Sequence, residues 1–312
     1  MPKKVNDQVR LRVGFIGLGM MGLPMVQALA KTDRFEILAF DKDDKPFDAL
    51  RTNPAWAQSL HRATSLAALK TVNIVITMLP NSTITNEVML GQAGMINHIS
   101  DHMIVIDMGS SNPQDTLRLG GEIAAHGGIM LDAPVSGAVA KANTGTLTIM
   151  VGGPEQAIEA ARPVLEAMGS QILATGALGS AHAMKALNNY VYAAGLLAVS
   201  EATAIATAMG LDLARFSSVL NASSGRNVAS ETKLSQFIIP RHYAGGFALR
   251  LQAKDLNTAA KLQDLTGVSA PLLDLCDTIW NKASGALEPG ADNTEIHRYI
   301  EQLGPMTAKQ DL

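Results

Sequence analysis

The chain of 312 residues contains a single cysteine, Cys276, so no disulfide can form within it. One thiol in a chain this long fits a reducing compartment such as the cytosol. Charge is also scarce: Asp, Glu, Lys and Arg make up 17% of residues, against roughly a quarter in an average soluble domain. The net charge of −3 offers no basic field to a nucleic acid or an anionic membrane surface. Aromatic residues amount to 4%, whereas apolar residues reach 47%. That is the profile of a well-buried α/β or helical enzyme built from Ala, Gly and Leu. The most apolar stretch, 190–208, is interrupted by Ser200, Glu201 and Thr203. It falls short of the ~18 uninterrupted apolar residues expected of a membrane span. The opening MPKKVNDQVR lacks the apolar core and small-residue cleavage site of a secretory signal. No internal repeat or low-complexity run is present. The expectation is a cytoplasmic protein with neither a nucleic-acid nor a membrane partner.

What is there is order. Short β-like runs at 11–17, 35–40, 73–79, 103–108, 128–134, 146–153 and 171–175 alternate with helix-like segments. Such alternation predicts βαβ units and a largely parallel sheet. A helix spans 20–31, and others open at Asn112-Pro113 and at Gly153-Pro154-Glu155. Beyond about residue 176 the β signal disappears. Helical patterns fill 180–208, 212–221, 227–239, 250–265, 269–284 and 293–303, with Gly and Pro marking several breaks. The predicted organisation is an α/β dinucleotide-binding domain over 1–175 and an all-helical domain over 176–312, joined by the long helix at 180–208.

The first strand runs into Gly17-x-Gly19-x-x-Gly22, and a helix follows. Glycines at this spacing permit a tight turn, close approach of backbone to a pyrophosphate, and close helix–strand packing. Gly17, Leu18, Gly19, Met20, Met21 and Gly22 are therefore candidate cofactor-binding residues. Asp41 lies 19 residues after Gly22, at the end of the second strand. A carboxylate there accepts hydrogen bonds from the adenine ribose hydroxyls and repels a 2′-phosphate, which favours NAD. Lys42 beside it softens that preference and leaves NADP open.

Between Gly176 and Met209 the only charged residues are Lys185 and Glu201. Asn188, Asn189 and Tyr192 follow Lys185 at +3, +4 and +7, so a helix would set them on one polar stripe. A lysine acts as a general base when burial and a neighbouring cation lower its pKa toward neutrality. Lys254 is a candidate second cation. The Ser136-Gly137 turn after an apolar strand offers a hydroxyl and backbone N–H groups to an anion. Taken singly, each feature has a plainer reading: Lys185 as a solvated lysine, Arg226 in SSGR as part of a capped turn, His182 as a packed or solvent-facing side chain. Glu201 receives no chemical role. No metal site is expected.

Six segments in this order and spacing are TMLPNS (77–82), DMGSSNP (107–113), DAPVSGAVAKANTGTLTIMVGG (132–153), GALGSAHAMKALNN (176–189), SSGR (223–226) and GGFALRLQAKDL (245–256). They resemble the β-hydroxyacid dehydrogenase family, which includes 3-hydroxyisobutyrate dehydrogenase, tartronate semialdehyde reductase and L-threonate dehydrogenase. The resemblance covers about 11–303. It implies a Rossmann-type domain followed by a helical one, and NAD-dependent oxidation of a short 3-hydroxy acid to its semialdehyde or keto acid. By that resemblance Lys185 would be catalytic. Ser136, Gly137 and Ala138 would bind the substrate carboxylate, and Asn188 and Asn189 would hold substrate. Leu79 and Pro80 would line the nicotinamide side of the cofactor, and Ser110 and Phe247 would contact it. Lys254 would reach cofactor or substrate from the helical domain. A homodimer or homotetramer is also implied. The sequence departs from the family at Ala138 and Ala181, where glycines are usual, and at Met108-Gly109; the departures bear on substrate, not on reaction class. Two alternatives stand beside this reading: a semialdehyde reductase working in reverse, and a non-catalytic NAD-binding scaffold.

Overall fold

The computed structural model describes residues 10–304. The chain forms two compact units, whose boundary in sequence falls between Lys185 and Ala186.

The first unit is built on one nine-stranded sheet. Its strands are β1 (Leu11–Ile16), β2 (Phe35–Phe40), β3 (Leu60–Arg62), β4 (Ile74–Thr77), β5 (Ile104–Asp107), β6 (Ile129–Asp132), β7 (Val135–Ser136), β8 (Leu147–Gly152) and β9 (Gly169–Gly176). The spatial order is β3-β2-β1-β4-β5-β6-β8-β7, with β9 beside β8. The strands from β3 across to β6 pair in parallel, while β8 runs antiparallel to β6 and β7. Every residue of β4 and of β5 is buried, as expected where helices cover both faces of a parallel sheet. Successive residues point to opposite faces. Ile74 and Ile76 join one core with Phe15, Ile37, Ile106 and Leu131, whereas Val75 joins a second with Ile16, Val105 and Met130. Each fully buried Phe, Ile or Leu contributes about 1.5–3 kcal/mol relative to exposure.

The helices of this unit are α1 (Gly22–Ala30), α2 (Lys45–Arg51), α3 (Ser82–Leu90), α4 (Pro113–Ala125), α5 (Ala138–Thr144) and α6 (Glu155–Glu166). Helix α4 starts where the Asn112-Pro113 pair predicts: the Asn112 side chain accepts the Gln114 N–H at 2.9 Å, and proline takes the first helical position. The short β7 and α5 occupy a segment whose sequence reads as a strand running out into a loop.

The long helix α7 (Ser180–Ala208) opens in the first unit and continues through the second. The second unit adds α8 (Leu213–Ala222), a π-helical segment (Ser230–Ile238), α9 (Leu249–Ala260), α10 (Leu262–Thr266), α11 (Pro271–Ala286) and α12 (Ile296–Gln302). Gly210, at φ 71°, follows the end of α7 in the left-handed conformation glycine takes without strain. The expected helix over 250–265 is broken at Lys261, and the one over 227–239 is wound as a π-helix. Ala193, Leu196, Leu234, Leu256, Trp280 and Ile296 lie at the centre of this unit's core.

Counted from Ser180, α7 meets the length and composition of a membrane span, which the interrupted run at 190–208 does not suggest. Its apolar character has another use here. Ala186, Ala193, Leu196, Leu197 and Val199 are buried in the core of the second unit.

Candidate active site

The strand order reverses between β1 and β4, with β2 and β3 built outward on one side and β5 and β6 on the other. At such a switch point the loops leaving the carboxyl ends of the strands splay apart and leave a crevice. Residues 17–22, 41, 78–80, 109–111 and 133–138 all follow the carboxyl ends of these strands.

Of the three glycines after β1, two are required by the backbone around them, and the third borders open space. Gly17 has φ 99°, and a Cβ there would lie 2.4 Å from the Met78 carbonyl oxygen. A Cβ on Gly22 would lie 1.9 Å from the Gly17 carbonyl oxygen, so only glycine lets α1 start this close to the strand. Gly19 faces open space, with nothing within 4 Å of a Cβ position. In the first turn of α1 the Leu23 N–H donates to the Gly19 carbonyl oxygen at 3.1 Å and the Met25 N–H to the Met21 carbonyl oxygen at 3.2 Å, while Pro24 has no N–H. Met20 is exposed and Leu18 is buried. Asp41 closes the arrangement: its carboxylate accepts the Leu18 N–H at 2.6 Å and the Asp43 N–H at 2.9 Å. Carboxylate oxygens have further lone pairs for the hydroxyls of a ribose. This cradle fits a dinucleotide.

Beyond β4, Leu79 is half-buried and Pro80 is exposed. The β5 loop runs against that segment, since a Cβ on Gly109 would come within 2.9 Å of the Leu79 carbonyl oxygen. Asp107, buried at the end of β5, shapes the loop that carries Ser110. One of its oxygens accepts the Thr77 hydroxyl at 3.0 Å and the Gly109 N–H at 3.1 Å, and the other accepts the Ser111 hydroxyl at 2.6 Å.

The exit from β6 is held differently. Asp132, fully buried and in register with Asp107, accepts the N–H groups of Gly179 and His182, both at 2.8 Å. Ser136 pairs with Thr148 of β8 and is half-buried. Gly137 has φ 133°, and Ala138 has φ 54°. Ala138 thus adopts a left-handed conformation that costs an L-residue with a Cβ about 1–2 kcal/mol. This gives a physical reason for the glycine that the resemblance leads one to expect here. Lys185 is half-buried one turn beyond His182 on α7, and is the last residue of the first unit.

In the second unit the predicted stripe divides. Asn188 is exposed and donates its amide to the Asn189 Oδ1 at 3.1 Å. Asn189 is buried; its Nδ2 donates to Asp255 Oδ2 at 2.6 Å, and its carbonyl accepts from Gln252 at 3.0 Å. Lys254 pairs with the other oxygen of Asp255 at 3.2 Å, so Asn188, Asn189, Asp255 and Lys254 form one linked polar series. Tyr192 is largely buried, and burial pushes its hydroxyl up to about 12. Phe247 is half-buried, and its backbone N–H donates to Asp292 at 3.1 Å. Arg226 is exposed and pairs with Glu231 at 3.3 Å. Burial pushes the Cys276 thiol up to about 11, which keeps it un-ionised and inert at neutral pH. Among the described residues no group of His, Cys, Asp and Glu side chains is arranged to hold a metal ion.

Asp107, Asp132, Thr116 and Asp255 hold these loops and side chains in place, although none stands out in the sequence as a site residue. Two parallel strands that both end in a buried aspartate, IVID and IMLD, were the available signal.

Residues 12–176 match the family model for the NAD binding domain of 6-phosphogluconate dehydrogenase. Residues 179–300 match the model for the NAD-binding region of NADP-dependent 3-hydroxyisobutyrate dehydrogenase. The chain is 35% identical over 294 residues to 2-(hydroxymethyl)glutarate dehydrogenase of Eubacterium barkeri, covering 94% of this chain and 96% of that relative. It is 34% identical over 275 residues to an NAD-dependent L-serine dehydrogenase of Pseudomonas aeruginosa, covering 86% of this chain and 91% of the relative. It is 32% identical over 301 residues to the mitochondrial 3-hydroxyisobutyrate dehydrogenase of Mus musculus, covering 94% and 88%. Among solved structures, the Mycobacterium tuberculosis 3-hydroxyisobutyrate dehydrogenase with L-serine superposes with a TM-score of 0.85 at 28% identity, covering 93% of this chain and 99% of that one. An imine reductase from Myxococcus stipitatus, at 14% identity and a TM-score of 0.63, shares the fold alone. With a glycine cradle at the switch point, a helical second unit and matches over nearly its whole length, the chain belongs to the 3-hydroxyisobutyrate dehydrogenase family of NAD(P)-dependent β-hydroxyacid dehydrogenases.

Proposed function

We propose that this chain oxidises a short 3-hydroxy acid to its semialdehyde or keto acid with NAD, in the cytoplasm and as a homo-oligomer. The observation that carries the cofactor reading is the cradle itself: Gly17 and Gly22 leave no room for a side chain, Gly19 faces open space, and Asp41 is anchored beside them. The relatives named as hydroxy-acid dehydrogenases support the substrate class.

Residues 17–22 hold the pyrophosphate and Asp41 the ribose hydroxyls. Leu79, Pro80 and Ser110 border the nicotinamide. The bound nicotinamide supplies a hydride acceptor. Ser136, with the backbone of Gly137 and Ala138, holds the substrate carboxylate. Lys185 takes the proton from the substrate hydroxyl as general base and returns it in the reverse direction. The family resemblance assigns Asn188 and Asn189 to the substrate, and Lys254 and Phe247 to the cofactor.

The test is a panel of short 3-hydroxy acids with NAD and NADP, followed at the nicotinamide absorbance, for the wild type and Lys185→Ala. Loss of a general base lowers kcat by about 10²–10⁴-fold. Full turnover by Lys185→Ala would remove the catalytic assignment, and turnover of no acid in the panel would favour the scaffold alternative. The oligomer rests on Met184, Leu187, Val191, Ile205 and Met209, which are exposed at helical spacing along and just beyond α7. A monomer by light scattering at micromolar concentration would contradict it.

A further inference from the structure

We propose that His182 is the positioning residue that ties the base-bearing turn of α7 to the nicotinamide-side loop; this rests on the reading of Lys185 as the base. Its imidazole is completely buried and joins three elements of the first unit. Nδ1 lies 2.8 Å from the hydroxyl of Thr116, on the first turn of α4. Nε2 lies 3.2 Å from the carbonyl oxygen of Gly109, in the loop after β5. Its backbone N–H donates to Asp132 at the end of β6, at 2.8 Å.

The chemistry of these partners orients the ring. A carbonyl oxygen only accepts, so Nε2 carries a hydrogen. The Thr116 hydroxyl also lies 3.1 Å from the Asn112 carbonyl oxygen. It therefore either donates to Nδ1, or donates to Asn112 and accepts from a protonated Nδ1. Rotating one hydroxyl satisfies the ring in both proton arrangements, so neither breaks the tether. The carboxylates of Asp107 and Asp132 face the ring from two strands, at 3.9 and 3.8 Å.

Sequence neighbours give the tether its consequence. Gly109 immediately precedes Ser110, and Lys185 follows His182 by three residues, one helical turn. The ring thereby sets the distance between the loop beside the nicotinamide and the turn that carries the base. Such distances must hold to a fraction of an ångström, and a misplacement of about 1 Å costs about 10²-fold in rate.

The experiment compares His182→Leu, His182→Gln and Thr116→Val. A glutamine amide presents an NH₂ donor group and a carbonyl acceptor, so it can serve both Gly109 and Thr116; leucine can serve neither. Steady-state kinetics on the best acid of the panel would be normalised to NAD-binding sites counted by fluorescence titration, so misfolded protein drops out. The expected result is a kcat lower by about 10–100-fold in His182→Leu, with KM within about threefold and recovery to within about fivefold of wild type in His182→Gln. Equal kcat per site in wild type and His182→Leu would overturn the proposal, as would equal losses in the leucine and glutamine variants. If His182→Leu binds no NAD, Thr116→Val decides: a kcat loss of about threefold or more supports the tether, and an unchanged kcat overturns it. Lys185→Ala separates the two claims. If it remains active, the base assignment fails; if it is inactive while His182→Leu is fully active, only the role of His182 fails.

Discussion

Replacing Ala138 with glycine should make this protein more stable, although glycine usually weakens a helix start. Ala138 sits at φ 54°, in the left-handed region, as the first residue of α5. An L-residue with a Cβ pays about 1–2 kcal/mol there, and glycine almost nothing. Against that gain stands the larger conformational freedom of glycine in the unfolded chain, about 0.4–1 kcal/mol. The difference leaves about 0.5–1 kcal/mol in favour of Ala138→Gly, an upward shift of about 1–3 °C in Tm for a chain of this size. The neighbouring position supplies the opposite control. Gly137 has φ 133°, and a Cβ there would come 2.5 Å from Lys141 Cδ. Lys141 can swing aside, but the backbone conformation remains one that alanine strains to hold, at about 1–3 kcal/mol. Differential scanning fluorimetry on the two variants, each at saturating NAD and without it, checks the pair. A lower or unchanged Tm for Ala138→Gly would refute the strain argument. Because this turn is the proposed carboxylate site, KM for the hydroxy acid should be measured on the same samples.

Two further predictions concern charge. Asp41→Asn removes the carboxylate that would repel a 2′-phosphate and weakens the hydrogen bonds to a ribose. The ratio of kcat/KM with NAD to that with NADP should fall at least about tenfold, and an unchanged ratio would show that Asp41 does not set the preference. His297 has its pKa lowered chiefly by burial, with Glu301 beside it at 3.4 Å working against that shift. Between the lowered folded value and the ordinary one near 6.5, the unfolded state binds more protons, so stability is lost as pH falls below about 6.5. The slope is at most about 1.4 kcal/mol per pH unit. Arg241 holds the Glu301 carboxyl low, so that group adds nothing between pH 5.5 and 7.5. Denaturation midpoints over this range should fall less steeply in His297→Gln than in the wild type, and identical slopes would exclude His297 as a contributor.

The parts of the fold that were legible in the sequence are those where the backbone or a long apolar period constrains residue type. Gly17 and Gly22 are required by contacts of 2.4 and 1.9 Å, and such requirements leave a mark in the sequence. The buried parallel strands β4 and β5 are short apolar runs, which is how they read. Helix α5 spans seven residues and β7 two, too few to show a period. The π-helix at Ser230–Ile238 kept the appearance of an α-helix, because apolar spacing does not distinguish their hydrogen-bond patterns. In the site, Lys185 and Ser136 stood out by residue type and neighbours. The cluster around His182 did not, because its partners lie 66 and 73 residues away. Spacing places Asn189 on a polar stripe, but not the partner of its amide, Asp255, which is also 66 residues away.

The carboxylate of Asp132 has a consequence for how the molecule assembles. It accepts the N–H groups at the start of α7 from 47 and 50 residues upstream. A local cap lets a helix end form early and alone, whereas this one needs a loop of about 50 residues closed first, at an entropic cost of about 3.5 kcal/mol. The first turn of α7 should therefore form only after β6 has joined the sheet. Along a refolding time course, helical circular dichroism would return first and turnover last, because the turn leading to Lys185 is completed by a strand far behind it in the chain.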